Sequence, residues 1–92
     1  MLKIQTTSKF CKDYKRVKKR GFDISLLQDV INKLSNNMIL ESKYKDHALT
    51  GPYNGFRECH IQPDWLLIYA INMEELVIVV SRTGSHSDLF GK

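Results

Sequence analysis

All three histidines of the chain, His47, His60 and His86, fall in its second half. Asp64, Arg82 and Phe90 lie in the same stretch. Imidazoles exchange protons near neutral pH. Several of them beside a guanidinium suit proton transfer on a phosphodiester. Cleaving RNA without a metal needs a base for the ribose 2′-OH, an acid for the departing 5′-oxygen, and a cation for the phosphoryl oxygens. Histidines can fill the first two roles. Arg82 suits the third, because its planar fork matches phosphate oxygens, and Phe90 can stack on a base. The residues therefore predict a small metal-independent ribonuclease. Zinc is a poor alternative: 12 and 25 residues separate successive histidines, which is no usual ligand spacing. Ser81, Ser85 and Ser87 lack a nucleophile-elbow context.

Such residues act together only if the fold gathers them. Residues 2–6 alternate apolar and polar and read as a strand. Thr7 or Ser8 can cap a helix over 9–20 with Phe10, Tyr14 and Val17 on one face, ending at Gly21. Asp23 caps a second helix with Ile24, Leu27, Val30, Ile31 and Leu34 inward, ending at Asn36-Asn37. Residues 40–52 read mostly as loop. Three strands follow, at 56–61, 65–71 and 76–83, and residues 85–90 can make a short helical turn. The order β-α-α-β-β-β predicts an α+β domain spanning 1–92, two N-terminal helices packed on a small antiparallel sheet. Pro63 excludes a helix linking His60 and Asp64, so these two should flank a hairpin turn. In a meander the first and third of the later strands run the same way. Their ends bring His60, Asp64, Arg82 and His86 to one rim, within reach of His47.

The 92 residues permit one modest core, so an open groove is expected rather than a deep pocket. No apolar run approaches the roughly 20 residues of a membrane helix, and no signal-peptide pattern opens the chain. The expected location is the cytoplasm, with no membrane contact. Cys11 and Cys59 should be reduced and buried. The net charge of +4 conceals an asymmetry: residues 1–20 hold eight of the fourteen Lys/Arg and one of the ten acids. A helix this basic predicts an anionic partner.

The set Tyr44-Lys45-Asp46-His47, Gly51, Gly55-Phe56-Arg57, His60-x-x-Pro63-Asp64-Trp65-x-Leu67-Ile68-Tyr69 and Arg82-Thr83-Gly84-x-His86-x-x-Leu89-Phe90-Gly91 closely resembles the YafQ branch of the RelE/ParE toxin superfamily. The resemblance implies a RelE-like microbial RNase fold and an endoribonuclease that cuts mRNA in the A site of the 70S ribosome, without a cofactor or metal. It implies an acidic cognate antitoxin, a ribbon-helix-helix DNA-binding protein through which the complex meets operator DNA. His86 would be the general acid and His47 the general base, with His60 and Asp64 positioning or sharing that role. Phe90 also matches an active-site position of the family, with Arg82 beside these residues. Glu58 departs from an aspartate common in relatives, keeping the charge and adding a methylene. Lys12, Lys15, Arg16 and Lys19 would grip ribosomal RNA. Within the same superfamily, the alternative is a ParE-type toxin that binds a protein such as DNA gyrase.

Overall fold

The structure, a computed structural model, describes residues 1–91. Helix α1 (Ser8–Lys19) starts where Thr7 Oγ1 accepts the backbone N–H of Phe10 at 3.0 Å. The same hydroxyl donates to the Ser81 carbonyl at 2.7 Å, so one side chain caps the helix and ties it to the last strand. Phe10 and Val17 are buried and Tyr14 partly so, the face that the spacing predicts. Gly21, at φ +86°, releases the chain from α1. Asp23 then caps α2 (Ile24–Ser35), accepting from Ser25 N at 3.0 Å. Leu27, Val30 and Leu34 are buried beneath it.

Five strands form one sheet: β1 (Lys3–Thr6), β2 (His47–Ala48), β3 (Arg57–Gln62), β4 (Trp65–Asn72) and β5 (Val77–Gly84), in the order β1-β5-β4-β3-β2. Strand β4 is central, and Trp65 to Tyr69 are all at most 1% exposed. Its continuous apolar run reflects cover on both faces. Trp65, Leu67 and Tyr69 join the core shared with the helices. Leu66 and Ile68 pack with Leu89, Leu49, Tyr53 and Phe56 on the other face.

The expected α+β class and the packing of helices on a small sheet hold. Two details differ. The sheet is mixed, because β1 pairs parallel with β5, from Lys3 opposite Val77 to Thr6 opposite Val80. Alternation fixes which side chains face inward but carries no information about a neighbour's direction. The stretch read as loop contains β2, a two-residue strand antiparallel to β3 that is too short to show a period. Cys59 is buried as expected, whereas Cys11 is exposed. Burial pushes the Cys59 thiol up to about 12, so it stays protonated at neutral pH.

A third helix, α3 (His86–Phe90), closes the described chain. Ser85 and Asp88 make a reciprocal capping box at its start. Asp88 also takes two bonds from the Arg20 guanidinium, at 2.7 and 3.0 Å, and so fastens α3 to the end of α1. Gly84, at φ +153°, is required here: a Cβ would lie 3.0 Å from Asp88 Cβ and Oδ2. The Arg20 bond, first among several causes, holds the Asp88 carboxyl well below the usual carboxylate range. The folded-state pKa lies under the unfolded one. The clamp therefore adds stability above about pH 4 and loses it as pH falls through the depressed value. Asp88→Asn is expected to lower Tm by about 5 °C at pH 7 and to flatten the loss of Tm between pH 5 and pH 2. Thermal melts across that range check it; an unchanged acid slope contradicts the clamp.

Candidate active site

The register of the sheet gathers the histidines. His60 lies opposite Leu66 on β4, and Leu66 lies opposite Gly84 on β5, so the ends of β3 and β5 flank the start of β4. Asp64 leads into β4 and His86 opens α3. Strand β2 sets His47 opposite Glu58. The ring centroids of His47 and His60 are 6.5 Å apart, and those of His60 and His86 5.7 Å. His47, His60, Asp64 and His86 therefore share one rim, as the strand directions predict.

Two kinds of imidazole meet there. His47 Nδ1 lies 2.7 Å from the Lys45 carbonyl, and His60 Nδ1 lies 3.3 Å from the Pro63 carbonyl. A carbonyl only accepts, so in both rings Nδ1 carries the hydrogen and Nε2 is left for other work. Both Nε2 atoms face Glu58 Oε1, at 3.6 and 3.5 Å. Glu58 is 6% exposed, so a proton arriving at either ring meets a buried carboxylate. His86 is held differently. Asp64 Oδ1 accepts both its backbone N–H, at 3.0 Å, and its ring Nδ1–H, at 2.6 Å. This fixes the tautomer and leaves Nε2 free to carry and release a proton. The His86 backbone N–H, and then its ring, hold the Asp64 carboxyl below the usual carboxylate range.

Arg82 is placed otherwise than at the centre of this cluster. Its Nε and Nη2 donate to Asp13 of α1, at 2.6 and 3.1 Å. Phe90 is partly exposed at the end of α3 and stacks edge-on against Tyr53, with centroids 5.8 Å apart. Lys12, Lys15 and Lys19 are exposed along α1. Arg16 is engaged, its Nη2 lying 2.6 Å from Asp13.

Three contributors have partners that the sequence reading did not find. Alternation put Glu58 on the His60 face, yet nothing in the sequence marked it as the carboxylate between two histidines. Asp46 accepts from the Tyr69 hydroxyl at 2.6 Å and from Arg57 Nε at 3.3 Å, which pins the loop before His47. Burial, and then this bond, push the Tyr69 phenol upward. Asp13 sits on the buried face of α1, where a charge breaks the expected pattern. Among the described residues Glu58, His60 and His86 offer ligand atoms all within 4.8 Å of one another, which could hold a metal ion.

Residues 2–91 match the profile of YafQ, described as a bacterial toxin of a type II toxin–antitoxin system. An mRNA interferase toxin YafQ of Escherichia coli is 38% identical over 89 residues, covering 96% of this chain and 95% of that protein. A metal-bound toxin from Helicobacter pylori superposes with a TM-score of 0.92 at 49% identity, covering 98% of this chain and all of that one. The E. coli DinJ–YafQ complex gives 0.90 at 37% identity, covering 99% and 100%.

The tautomer assignment is directly measurable. In Asp64→Ala the acceptor of the His86 Nδ1–H is gone. Imidazole ¹⁵N shifts should then show His86 leaving a single Nδ1–H form for a mixture, while His47 and His60 keep theirs. An unchanged His86 pattern contradicts the assignment.

Proposed function

The chain belongs to the YafQ family of type II toxins, and on that premise we propose that it is an endoribonuclease that cuts mRNA in the ribosomal A site. The observation that carries the reading is the pairing of two carbonyl-held imidazoles around Glu58 with one carboxylate-held imidazole on the same rim. His47, or His60 sharing its role through Glu58, removes the ribose 2′-OH proton at Nε2. The 2′-oxygen attacks phosphorus and the P–O5′ bond breaks, leaving a 2′,3′-cyclic phosphate. His86 Nε2–H protonates the departing 5′-oxygen, and Asp64 steadies the ring as its charge changes. Arg82 meets a phosphoryl oxygen with the nitrogen not engaged by Asp13. Phe90 stacks on a neighbouring base, with Tyr53 behind it.

The exposed Lys12, Lys15 and Lys19 grip ribosomal RNA, a contact that sets position and weakens with salt. Arg16 contributes less, since Asp13 already holds it. A cognate antitoxin is the expected protein partner, as the E. coli DinJ–YafQ complex illustrates for that relative. The family and the absence, among the described residues, of any helix long and apolar enough to cross a membrane fit action in the cytoplasm. The gyrase-binding alternative gives the histidine cluster no task. It would be favoured by DNA breaks with messages left intact.

Mapping of mRNA 5′ ends in a programmed translation reaction tests the proposal. His86→Gln is expected to slow cleavage by about 10²–10⁴-fold, the usual worth of a general acid. Cleavage like that of wild type would overturn the assignment. The cluster also predicts a metal response. Protein stripped of metal by EDTA and then freed of the chelator should still cleave in the Mg²⁺-containing translation reaction, whereas added Zn²⁺ should inhibit it by occupying Glu58, His60 and His86 and removing the proton carriers. Loss of activity in the stripped protein, restored by adding back a transition metal, would show that the reaction needs one.

A further inference from the structure

Behind the histidines lies a cavity of about 450 Å³, between the start of α2, the turn at Ser42–Tyr44 and the β3–β4 hairpin. Its volume falls in the range of small-ligand sites, about 300–1,000 Å³. Leu26, Ile61 and Pro63 make its walls apolar, and Tyr44 adds an aromatic surface. Lys43 and Lys45 line it too, with Lys43 Nζ 5.2 Å and Lys33 Nζ 5.5 Å from the Tyr44 ring centroid. An apolar slot edged by ammonium groups matches a flat base attached to a phosphate. Gln62, also lining it, carries an amide that can both donate to and accept from a base edge.

The cavity is not remote from the chemistry. Its lining includes His60 itself, Lys45, whose carbonyl takes the His47 Nδ1–H, and Pro63, whose carbonyl takes the His60 Nδ1–H. One wall of the cavity is thus the scaffold that fixes both tautomers. A group bound there would touch His60 and the two residues whose carbonyls orient the rings.

Resting on the ribonuclease reading above, we propose that this cavity is a nucleotide subsite, holding the base and phosphate of a message nucleotide that flanks the cut, with Gln62 reading the base edge. An antitoxin side chain is the rival occupant. The substrate is favoured because the cavity shares its wall with the proton-transfer pair and carries its lysines at the mouth.

The experiment uses the intact protein and two readouts. First, the four nucleoside 5′-monophosphates are titrated against labelled protein. Saturable NMR shifts are expected at Lys45, His60 and Gln62. They should vanish in Leu26→Trp, which fills the slot from a partly exposed position, and weaken in Lys43→Glu, which reverses charge at an exposed one. Second, cleavage is mapped on ribosome-bound message. Leu26→Trp should raise KM about tenfold, the order of one lost base stack, with kcat little changed, and Gln62→Ala should broaden the bases accepted beside the cut. Should Leu26→Trp misfold, Lys43→Glu carries both tests. Nucleotide shifts absent in wild type, or unchanged in both variants, overturn the subsite. So does a loss of antitoxin affinity with shifts, KM and base preference unaltered, which marks a peptide-docking slot. A wild-type protein that cuts no message overturns the ribonuclease reading instead, and the nucleotide titration still decides the subsite.

Discussion

Two carboxylates, Asp13 of α1 and Asp88 of α3, tie together the elements that carry the site. Asp13, buried in α1, accepts from Arg16, from Arg82 and from the Thr83 backbone N–H at 3.2 Å. Strand β1 covers the edge of β5 only as far as Val80, so Thr83 would otherwise leave an unpaired donor against the helix. Asp88 does the equivalent one turn further, joining Arg20 of α1 to the cap of α3. Buried ion pairs are poor sources of net stability, because desolvation offsets the attraction. Losing one partner is another matter, because it strands the group it held. Their consequence here is geometric. Helix α3 has five residues, too few to be stable alone, and it carries His86 at its first position. Its place is set by Asp88 and Asp64, not by its own hydrogen bonds.

The histidines are sorted by what faces Nδ1. A backbone carbonyl holds His47 and His60 without adding a charge. A carboxylate holds His86. The first arrangement leaves Nε2 as an acceptor beside Glu58. The second steadies a ring that becomes positive when it carries a second proton. Three identical side chains thus sit in different electrostatic surroundings, two against neutral backbone carbonyls and one against a carboxylate. Glu58 reaches between His47 and His60, its Oε1 lying 3.6 and 3.5 Å from their Nε2 atoms.

Much of the frame was legible in the chain. The spacings of Phe10, Tyr14 and Val17 and of Leu27, Val30 and Leu34 mark both helices; Asp23 marks the start of the second, and of Thr7 and Ser8 it is Thr7 that caps the first. Pro63 forced the hairpin that separates His60 from Asp64. The shared direction of β3 and β5 then placed His60 and His86 together, which no local pattern could do. What stayed hidden was pairwise. No local pattern sets Asp13 apart from a surface acid of a lysine-rich helix, because nothing in its neighbourhood names Arg82, 69 residues away. Arg82 looked free for phosphate for the same reason. Strand β2 was too short to have a period, so His47 could be placed near the rim but not opposite Glu58. Long-range polar pairs leave no periodicity behind, and these are the features that tune the site.

The exposure of the rim bears on how such a site could act. The side chains of His47 and His86 are 50% and 45% exposed, so both rings face water. Fixed dipoles and charges act most strongly where water is excluded. The surrounding elements are poorly placed to close over the rings. Helix α3 is clamped by Arg20, the loop before His47 is pinned through Asp46, and β3–β4 is a tight hairpin. A rigid, half-open margin of this kind must be covered by what it binds. On the proposed reading the ribosome supplies that cover, and the lysines of α1 set the angle at which it arrives. The chain then contributes proton carriers in fixed tautomers, and the partner contributes the dry surroundings in which they work.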